Sequence, residues 1–264
     1  AIRKCKFDTK IFGVDRTKKN IQNSVDYKVL DDYFNYDDID RISGLAIICT
    51  PVDVIEEVFN KINAIRNKDL IATDVGSTKK KLIEKIKRID KSKIFVGSHP
   101  LAGSEKCGFE NSVDDLFLNK IVVVTPTKST KKENLNKVLK FWENLGSKTV
   151  ILGPGVHDKI TAATSHTVHL MSCLTALHLK NNEHYDGKYY SIYGNGLVDT
   201  TRISMGNEDI WTSICEQNKE NILRNLKSIK KQLKQIIKKI NNDKYSDLKK
   251  LLYKAKIFRE NITK

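Results

Sequence analysis

The sequence predicts an α/β domain built on a parallel sheet, followed by an all-helical region. Short apolar stretches typical of strands alternate with helix-like stretches of about a dozen residues, which is the pattern of a parallel sheet. This alternation ends after "KTVILGPG". From His157 to Lys180 the chain is apolar and compatible with a helix, and beyond "YGNGLVDTTRIS" it is helical almost to its last residue.

The alternating elements can be assigned in order along the chain. The predicted strands contain the stretches "KIFGVD", "LAIICTP", "DLIATDVGS", "KIFVGSHP", "NKIVVVTPT" and "KTVILGPG". The predicted helices contain the stretches "VDVIEEVFNKI", "TKKKLIEKIKRI" and "KENLNKVLKFWENLG", the last of them ended by Gly146. We therefore predict a boundary near residues 150 to 155, between an α/β domain (1–152) and a helical domain (153–264).

The composition favours a cytoplasmic protein without a membrane partner. Of the 264 residues, 39% are hydrophobic and 30% are charged, which allows a sizeable core. The best apolar run, around "GLAIICTPV", is far shorter than the about 18 residues of a membrane helix. The first residues, "AIRKCKFDTK", lack the apolar core of a signal peptide. The five cysteines are scattered without metal-type pairs, which favours reduced thiols.

The positive charge of the chain is concentrated at one end. Residues 219–264 carry 15 Lys and Arg against 4 Asp and Glu, in a chain with a net charge of +15. Apolar residues recur there at helical spacing, so this region is predicted to be amphipathic helix with a lysine-rich solvent face. No aromatic or arginine-rich reader accompanies it, so we predict no nucleic-acid partner. A basic anion- or nucleic-acid-binding module is the alternative outside the enzymes.

Several polar residues follow predicted strands, where ligands bind in parallel α/β sheets. They are Asp15, Thr50, Asp74 to Ser77 and His99. An acid at the position of Asp15 can accept hydrogen bonds from an adenosine ribose, which favours NAD, whereas Arg16 could accept the 2′-phosphate of NADP. No G-x-G-x-x-G motif is present. We expect the first strand and its phosphate loop to lie upstream of the residues shown.

The stretch "VGSHPLAGSEKCGFE" places His99 between a strand end and a proline, ahead of a glycine-rich polar loop. Such a loop is either an ordinary turn or a platform that presents a titrating group to a substrate. In "TDVGSTKK", Asp74, Gly76 and Ser77 lie at a strand–helix junction. There the hydroxyl of Ser77 can cap the helix, contact a ligand, or do both.

Two stretches of the helical region carry further polar groups. In "HDKITAATSHTVH", helical spacing brings Asp158, Ser165 and His169 within about 40° of each other, with His166 beside them. These residues either contact a ligand or are polar core residues that bond to one another. The pair His166 and His169 matches only half of a metal-binding motif, so no metal is predicted. In "DTTRIS", Arg202 is suited to binding a carboxylate, with a surface arginine as the alternative.

Taken in order, six stretches resemble the prephenate/arogenate dehydrogenase family of tyrosine biosynthesis. They are "DVGSTKK", "GSHPLAGSEKCG", "LFLNKIVVVTPT", "HDKITAATSHTVH", "GLVDTTRIS" and "IW". The resemblance runs from about residue 11 to residue 215, and "SHPLAGSE" is its most specific element. It implies a Rossmann-type NAD(P)-binding domain, lacking its first strand and glycine loop here, joined to a helical domain that forms a homodimer.

The resemblance also implies roles for individual residues. His99 would be the catalytic histidine, hydrogen-bonded to the hydroxyl of the substrate ring. Ser77 would assist it in catalysis, and Ser104 would assist beside it by binding the substrate. Arg202 would bind a substrate carboxylate near Trp211. The remaining implied contacts are Ser165, His169 and Asp158 for the substrate and Asp15, Arg16, Thr50, Pro51, Asp74 and Gly76 for the cofactor.

The resemblance implies an NAD-dependent prephenate dehydrogenase that oxidatively decarboxylates prephenate to 4-hydroxyphenylpyruvate. Arogenate dehydrogenase is the alternative, because the two substrates differ only in a keto or amino group, and NADP is the alternative cofactor. Another NAD(P)-dependent hydroxyacid dehydrogenase is less favoured. Such an enzyme would normally use a lysine of the helical side, and none lies on the face of Asp158, Ser165 and His169.

Overall fold

The chain forms two compact units, Ala1–Asn218 and Lys219–Lys264. The computed structural model describes all residues except 6, 16, 35–42, 66–68, 91–92, 104–108, 183, 186, 188–189 and 263–264. The first unit contains both the sheets and the helices that follow them as far as Asn218. The domain boundary at residues 152 and 153 therefore stays a prediction.

The strands of the first unit form two separate sheets. A two-stranded parallel sheet pairs β1 with β2, and a five-stranded sheet has the order β3-β4-β5-β6-β7. The strands are β1 (Phe12–Gly13), β2 (Asp32–Tyr33), β3 (Leu45–Ile48), β4 (Ile71–Asp74), β5 (Phe95–Pro100), β6 (Ile121–Thr125) and β7 (Lys148–Ile151). Each of the six predicted strand stretches contains one of these strands, and β2 was not predicted.

The helices first alternate with the strands and then follow one another. Those of the alternating part are α1 (Lys18–Asp26), α2 (Ile55–Ala64), α3 (Lys80–Ile89) and α4 (Lys132–Asn144). The next are α5 (Pro154–Thr161), a π-helical turn (Ala162–His166), α6 (Thr167–Lys180), α7 (Asn195–Thr201), a 3₁₀ turn (Arg202–Met205) and α8 (Glu208–Gln217). The second unit contains α9 (Lys219–Asn241) and α10 (Tyr245–Ile262).

The predicted order of an α/β sheet followed by helices is confirmed, but the expectation that all strands run parallel is wrong at one pair. Strands β3, β4 and β5 are parallel, β6 runs antiparallel to β5, and β7 is parallel to β6. A parallel pair needs a crossover connection, usually a helix. The described part of the connection between β5 and β6 holds only turns and a 3₁₀ turn, Phe109–Asn111. The chain therefore returns beside β5 in the opposite direction.

The five-stranded sheet is covered by helices on both faces. Neighbouring residues of a strand point to opposite faces, and Ala72 and Ile71 accordingly belong to two different apolar clusters. One cluster is formed with α2 and α3, including Phe59, and the other with α4, including Trp142. Burial on both faces explains why adjacent residues are apolar in the first half of β4 and of β5 and along most of β6.

Two further features bear on the sequence predictions. Helix α4 is followed by Gly146 at φ +83°, the left-handed conformation that glycine adopts most easily at a helix end. Within the part of the chain that the structure describes, no helix combines the length and the apolar character needed to cross a membrane.

Candidate active site

Two histidines and a carboxylate form a hydrogen-bonded chain at the end of β5. His99 Nδ1 lies 2.8 Å from His157 Nε2, and His157 Nδ1 lies 2.8 Å from Asp158 Oδ1. His99 is half-buried near the end of β5, whereas His157 and Asp158 are buried on α5. The two imidazole rings meet edge to face, with their centroids 5.1 Å apart. The sheet thus contributes His99, and α5, the first helix after the sheet, contributes His157 and Asp158.

The hydrogen bonds that link His99, His157 and Asp158 determine which imidazole nitrogens carry protons. The Asp158 carboxylate can only accept, so His157 Nδ1 donates to it. In a neutral His157, Nε2 is then the acceptor, and His99 Nδ1 donates to it. This assignment leaves the lone pair of His99 on Nε2, the nitrogen that does not bond His157. The arrangement is that of a general base whose orientation is fixed by a second group.

The carboxylate of Asp158 is itself held by the start of α3. Its Oδ1 accepts the backbone N–H of Lys79 at 2.8 Å, and its Oδ2 accepts that of Lys80 at 2.9 Å. Helix α3 has no side-chain cap of its own and no acidic residue in its first turn. Asp158 therefore supplies the acceptors that the N-terminus of a helix requires.

The pKa values of Asp158 and His99 are both lowered, but for different reasons. Burial alone would raise the pKa of Asp158, but the hydrogen bonds from His157 and from the backbone of Lys80 and Lys79 outweigh it and lower that pKa. Burial lowers the pKa of His99 well below 6.5, and the charge of Lys79 and the neighbouring imidazoles of His157 and His166 lower it further. His99 is therefore neutral at pH 7 and able to accept a proton.

A buried ion pair lies beneath the histidines. Lys79 Nζ contacts Asp74 Oδ2 at 2.5 Å, and both side chains are 0% exposed. The same ammonium donates to the carbonyl oxygens of Gly76 and Thr78 at 2.7 and 3.2 Å. Asp74 Oδ1 accepts the backbone N–H of Ser98 at 3.1 Å, one residue before His99. This pair joins the end of β4 to the end of β5.

The residues predicted to bind the cofactor lie at or just after the carboxyl ends of β1, β3 and β4. Asp15 is exposed and accepts the N–H of Thr17 at 2.6 Å. Thr50 Oγ1 is buried without a hydrogen-bond partner among the described residues, and the adjacent Pro51 is exposed. Asp15 follows a strand of the two-stranded sheet and Thr50 follows a strand of the five-stranded sheet. An exposed acid and an unbonded hydroxyl after strand ends are groups that fit the ribose of a dinucleotide. The sequence holds no G-x-G-x-x-G motif for the pyrophosphate.

Asp74 and Gly76 have mainly internal contacts. The carboxylate of Asp74 accepts from Gly76, Lys79 and Ser98 and is fully buried, so it offers no surface to a cofactor. A Cβ at Gly76 would lie 2.8 Å from Ile55 Cδ1 and 2.9 Å from Asp74 Oδ2. A larger side chain would therefore clash with its neighbours, which explains why this position is a glycine. The cofactor contact expected of the Asp74 side chain is therefore not part of the proposed function. Ser77, next along the loop, is partly buried.

The predicted common face of Asp158, Ser165 and His169 is wrong, because a π-helical turn interrupts the helix at Ala162–His166. Such a turn holds an extra residue and rotates the rest of the helix about its axis. Ser165 is consequently exposed, and His166 takes the buried position, where its Nδ1 lies 3.2 Å from Asn218 Nδ2. Burial lowers the pKa of His166 to about 4, against the opposing charge of Asp158.

His169 and Trp211 connect the helices to the turn that holds Arg202. Their rings are stacked with centroids 3.5 Å apart, and His169 Nε2 lies 3.4 Å from Cys173 Sγ. Burial lowers the pKa of His169, while the backbone of Ile203 opposes that shift. Arg202 itself is exposed and begins the 3₁₀ turn. The turn is thus anchored next to His169, and it begins at an exposed arginine.

The structure adds residues that the sequence did not indicate. His157, Lys79 and Asn218 form the network around Asp158, and Asn218 Nδ2 donates to the Asp158 carbonyl oxygen at 2.7 Å. His157 lies beside Asp158 in a stretch already noted for its polar residues, which is the one signal that pointed to it. Two predicted site residues, Ser104 and Arg16, lie outside the described residues.

Comparison with known proteins covers almost the whole chain. Residues 1–151 match the family model described as "Prephenate dehydrogenase, nucleotide-binding domain". Residues 153–254 match the model described as "Prephenate dehydrogenase, dimerization domain". The prephenate dehydrogenase of Bacillus subtilis is 27% identical over 276 residues, which cover 99% of this chain and 71% of that protein.

Solved structures agree with these matches. A crystal structure of prephenate dehydrogenase from A. aeolicus, in complex with hydroxyphenyl propionate and NAD⁺, has a TM-score of 0.92 and 31% identity, covering 99% of this chain and 92% of that one. The Synechocystis arogenate dehydrogenase has a TM-score of 0.78 and 26% identity, covering 95% and 90%. The chain therefore belongs to the prephenate dehydrogenase family of oxidoreductases, with a Rossmann-type domain followed by a helical one.

Proposed function

We propose that this protein is an NAD⁺-dependent prephenate dehydrogenase, converting prephenate to 4-hydroxyphenylpyruvate, CO₂ and NADH. The observation that carries the proposal is the chain from His99 through His157 to Asp158, which presents a neutral imidazole at the carboxyl end of β5. The relative from A. aeolicus was solved with hydroxyphenyl propionate and NAD⁺. A ring hydroxyl and a carboxylate are the groups that His99 and Arg202 could bind.

In the proposed reaction, one proton moves from the substrate to His99 and is later returned to the product. His99 Nε2 takes the proton of the ring hydroxyl as the carbinol carbon is oxidised. Loss of CO₂ then returns the electrons of the broken C–C bond to the ring, and His99 gives its proton to the resulting phenolic oxygen. Arg202 holds a substrate carboxylate throughout, which orients the ring. Aromatisation supplies the driving force, so that the protein mainly positions the reactants.

The cofactor would be held by Asp15, Thr50 and the backbone around Gly76. When bound, NAD⁺ supplies the acceptor for the hydride that leaves the carbinol carbon. The exposed carboxylate of Asp15 favours NAD over NADP, because it would repel a 2′-phosphate. Arg16, beside it in the sequence, keeps NADP as the second candidate.

Arogenate is the second candidate substrate, favoured by the similarity to the Synechocystis arogenate dehydrogenase. Turnover of prephenate and arogenate, each with NAD⁺ and with NADP⁺, separates the candidates when NADH or NADPH formation is followed by absorbance. We expect kcat/KM to be highest for prephenate with NAD⁺. A higher kcat/KM for arogenate would identify the protein as an arogenate dehydrogenase. The absence of turnover in every combination would contradict the proposed activity.

Replacement of His99 tests the proposed base. His99→Asn should lower kcat about 10²- to 10⁴-fold and leave KM within a few-fold, because the proton leaves only in the transition state. In the unaltered protein, kcat/KM should fall only below pH 6.5, because the lowered pKa keeps His99 neutral until the pH drops through it. The exposed His178→Asn is the control. Near-normal kcat in His99→Asn, with chemistry rate-limiting, would make His99 a structural residue.

Arg202 should act mainly in binding. Arg202→Ala should raise KM about 10- to 100-fold with a smaller change in kcat, because a charge-assisted hydrogen bond to a carboxylate exists in the ground state and in the transition state. Arg202→Lys should restore binding only in part, because an ammonium lacks the planar fork. The exposed Arg88→Ala is the control, measured by the same steady-state kinetics. An unchanged KM in Arg202→Ala would place the carboxylate elsewhere.

We also propose a homodimer formed through the helical region, supported by the match to a dimerization-domain model. In the first unit, Leu174 and Leu177 of α6 are more than half exposed, and in the second unit Phe258 and Ile262 of α10 are as well. Light scattering at micromolar concentration should give twice the chain mass of 30.1 kDa. Leu177→Glu should weaken the dimer and Lys140→Glu, on α4, should not. A clean monomer in the unaltered protein would refute this assembly.

A further inference from the structure

We propose that the buried Lys79–Asp74 ion pair is the positioning device of His99: it holds both ends of the His99–His157 hydrogen bond and keeps a fixed positive charge beside the base. The inference rests on the proposed role of His99 as a base. It assigns a function to two residues that touch neither the substrate nor the cofactor in the proposed mechanism.

The pair is unusual in its burial. Lysine and aspartate are almost never fully buried unless they are paired, and both of these side chains are 0% exposed. Every proton of the Lys79 ammonium has an acceptor, in Asp74, Gly76 and Thr78. A buried pair adds little to stability compared with apolar residues of similar size. Its presence in this position therefore points to a role besides stability.

The bonds of the pair lead to both partners of the histidine hydrogen bond. On one side, the Asp74 carboxylate accepts the backbone N–H of Ser98, which precedes His99. On the other, the backbone N–H of Lys79 donates to Asp158, which in turn binds His157. The distance of 2.8 Å between the two imidazole nitrogens depends on these two anchors. A shift of the Lys79 backbone would move His157 relative to His99.

The charges that face His99 come from three elements. The Lys79 ammonium lies on the loop before α3, His157 lies on α5, and His166 lies on the π-helical turn. The negative groups nearby are Asp158, one imidazole away, and Asp74, bonded to Lys79. Lys79 repels an imidazolium at His99. The pair therefore makes His99 a weak base that releases its proton readily.

The test is an NMR titration of the His99 ring in the full chain with labelled histidine, its signal identified by its loss in His99→Asn. The double variant Asp74→Asn/Lys79→Met replaces the pair by neutral groups of similar size. Its His99 midpoint should rise by about one pH unit, and stay below 6.5 because burial remains. Lys80→Met is the matched control, because Lys80 makes the same backbone bond to Asp158 but its side chain is exposed.

Each outcome decides the proposal. A raised midpoint in the folded double variant, with Lys80→Met unchanged, supports it, and an unchanged midpoint in the folded double variant overturns it. If circular dichroism shows that the double variant does not fold, Lys79→Gln decides, because it removes the charge and keeps a hydrogen-bond donor beside Asp74: a raised midpoint supports the proposal and a native one overturns it. The titration needs no turnover, so it stands apart from the assay of the proposed activity.

Discussion

The site depends on one buried carboxylate. Asp158 accepts two backbone N–H groups at the start of α3 and the Nδ1–H of His157, so the same side chain completes a helix end and fixes a tautomer. Its bonds also bring α5 against the loop that follows β4. Because both oxygens are engaged, the imidazole of His157 has a single orientation, and the nitrogen of His99 that remains for a substrate is determined by it. The geometry of the candidate site is therefore a consequence of how the helices dock on the sheet.

Local patterns predicted the features that local physics determines. The alternation of strands and helices is set by the period of the apolar residues, and the strand ends bearing Asp15, Thr50 and His99 could be located from it. The position of His99 beside other polar groups could be predicted as well, because neighbouring strands of a sheet end close together. The antiparallel β6 could have been inferred from the missing helix between "KIFVGSHP" and "NKIVVVTPT".

Other features depend on contacts between distant residues. Nothing in "HDKITAATSHTVH" shows that a π-helical turn exposes Ser165 and buries His166, because regular spacing assumes one constant period. Lys79 belongs to the run "TKKK", in which its neighbours Lys80 and Lys81 are exposed. A lysine in such a run is ordinarily a solvated side chain. Only the fold buries its ammonium against the carboxylate of Asp74, at the end of β4.

The interposed imidazole of His157 has a chemical rationale. A carboxylate bonded directly to His99 would stabilise its imidazolium and raise its pKa, as an opposite charge does at short range. With His157 between them, Asp158 fixes the tautomer of His99 while its charge stays one ring away, and Lys79 adds a charge of the other sign. The proposed reaction takes a proton and then returns it to the phenolic oxygen. A base of low proton affinity suits the second step, and the orientation supplied by the histidine chain serves the first.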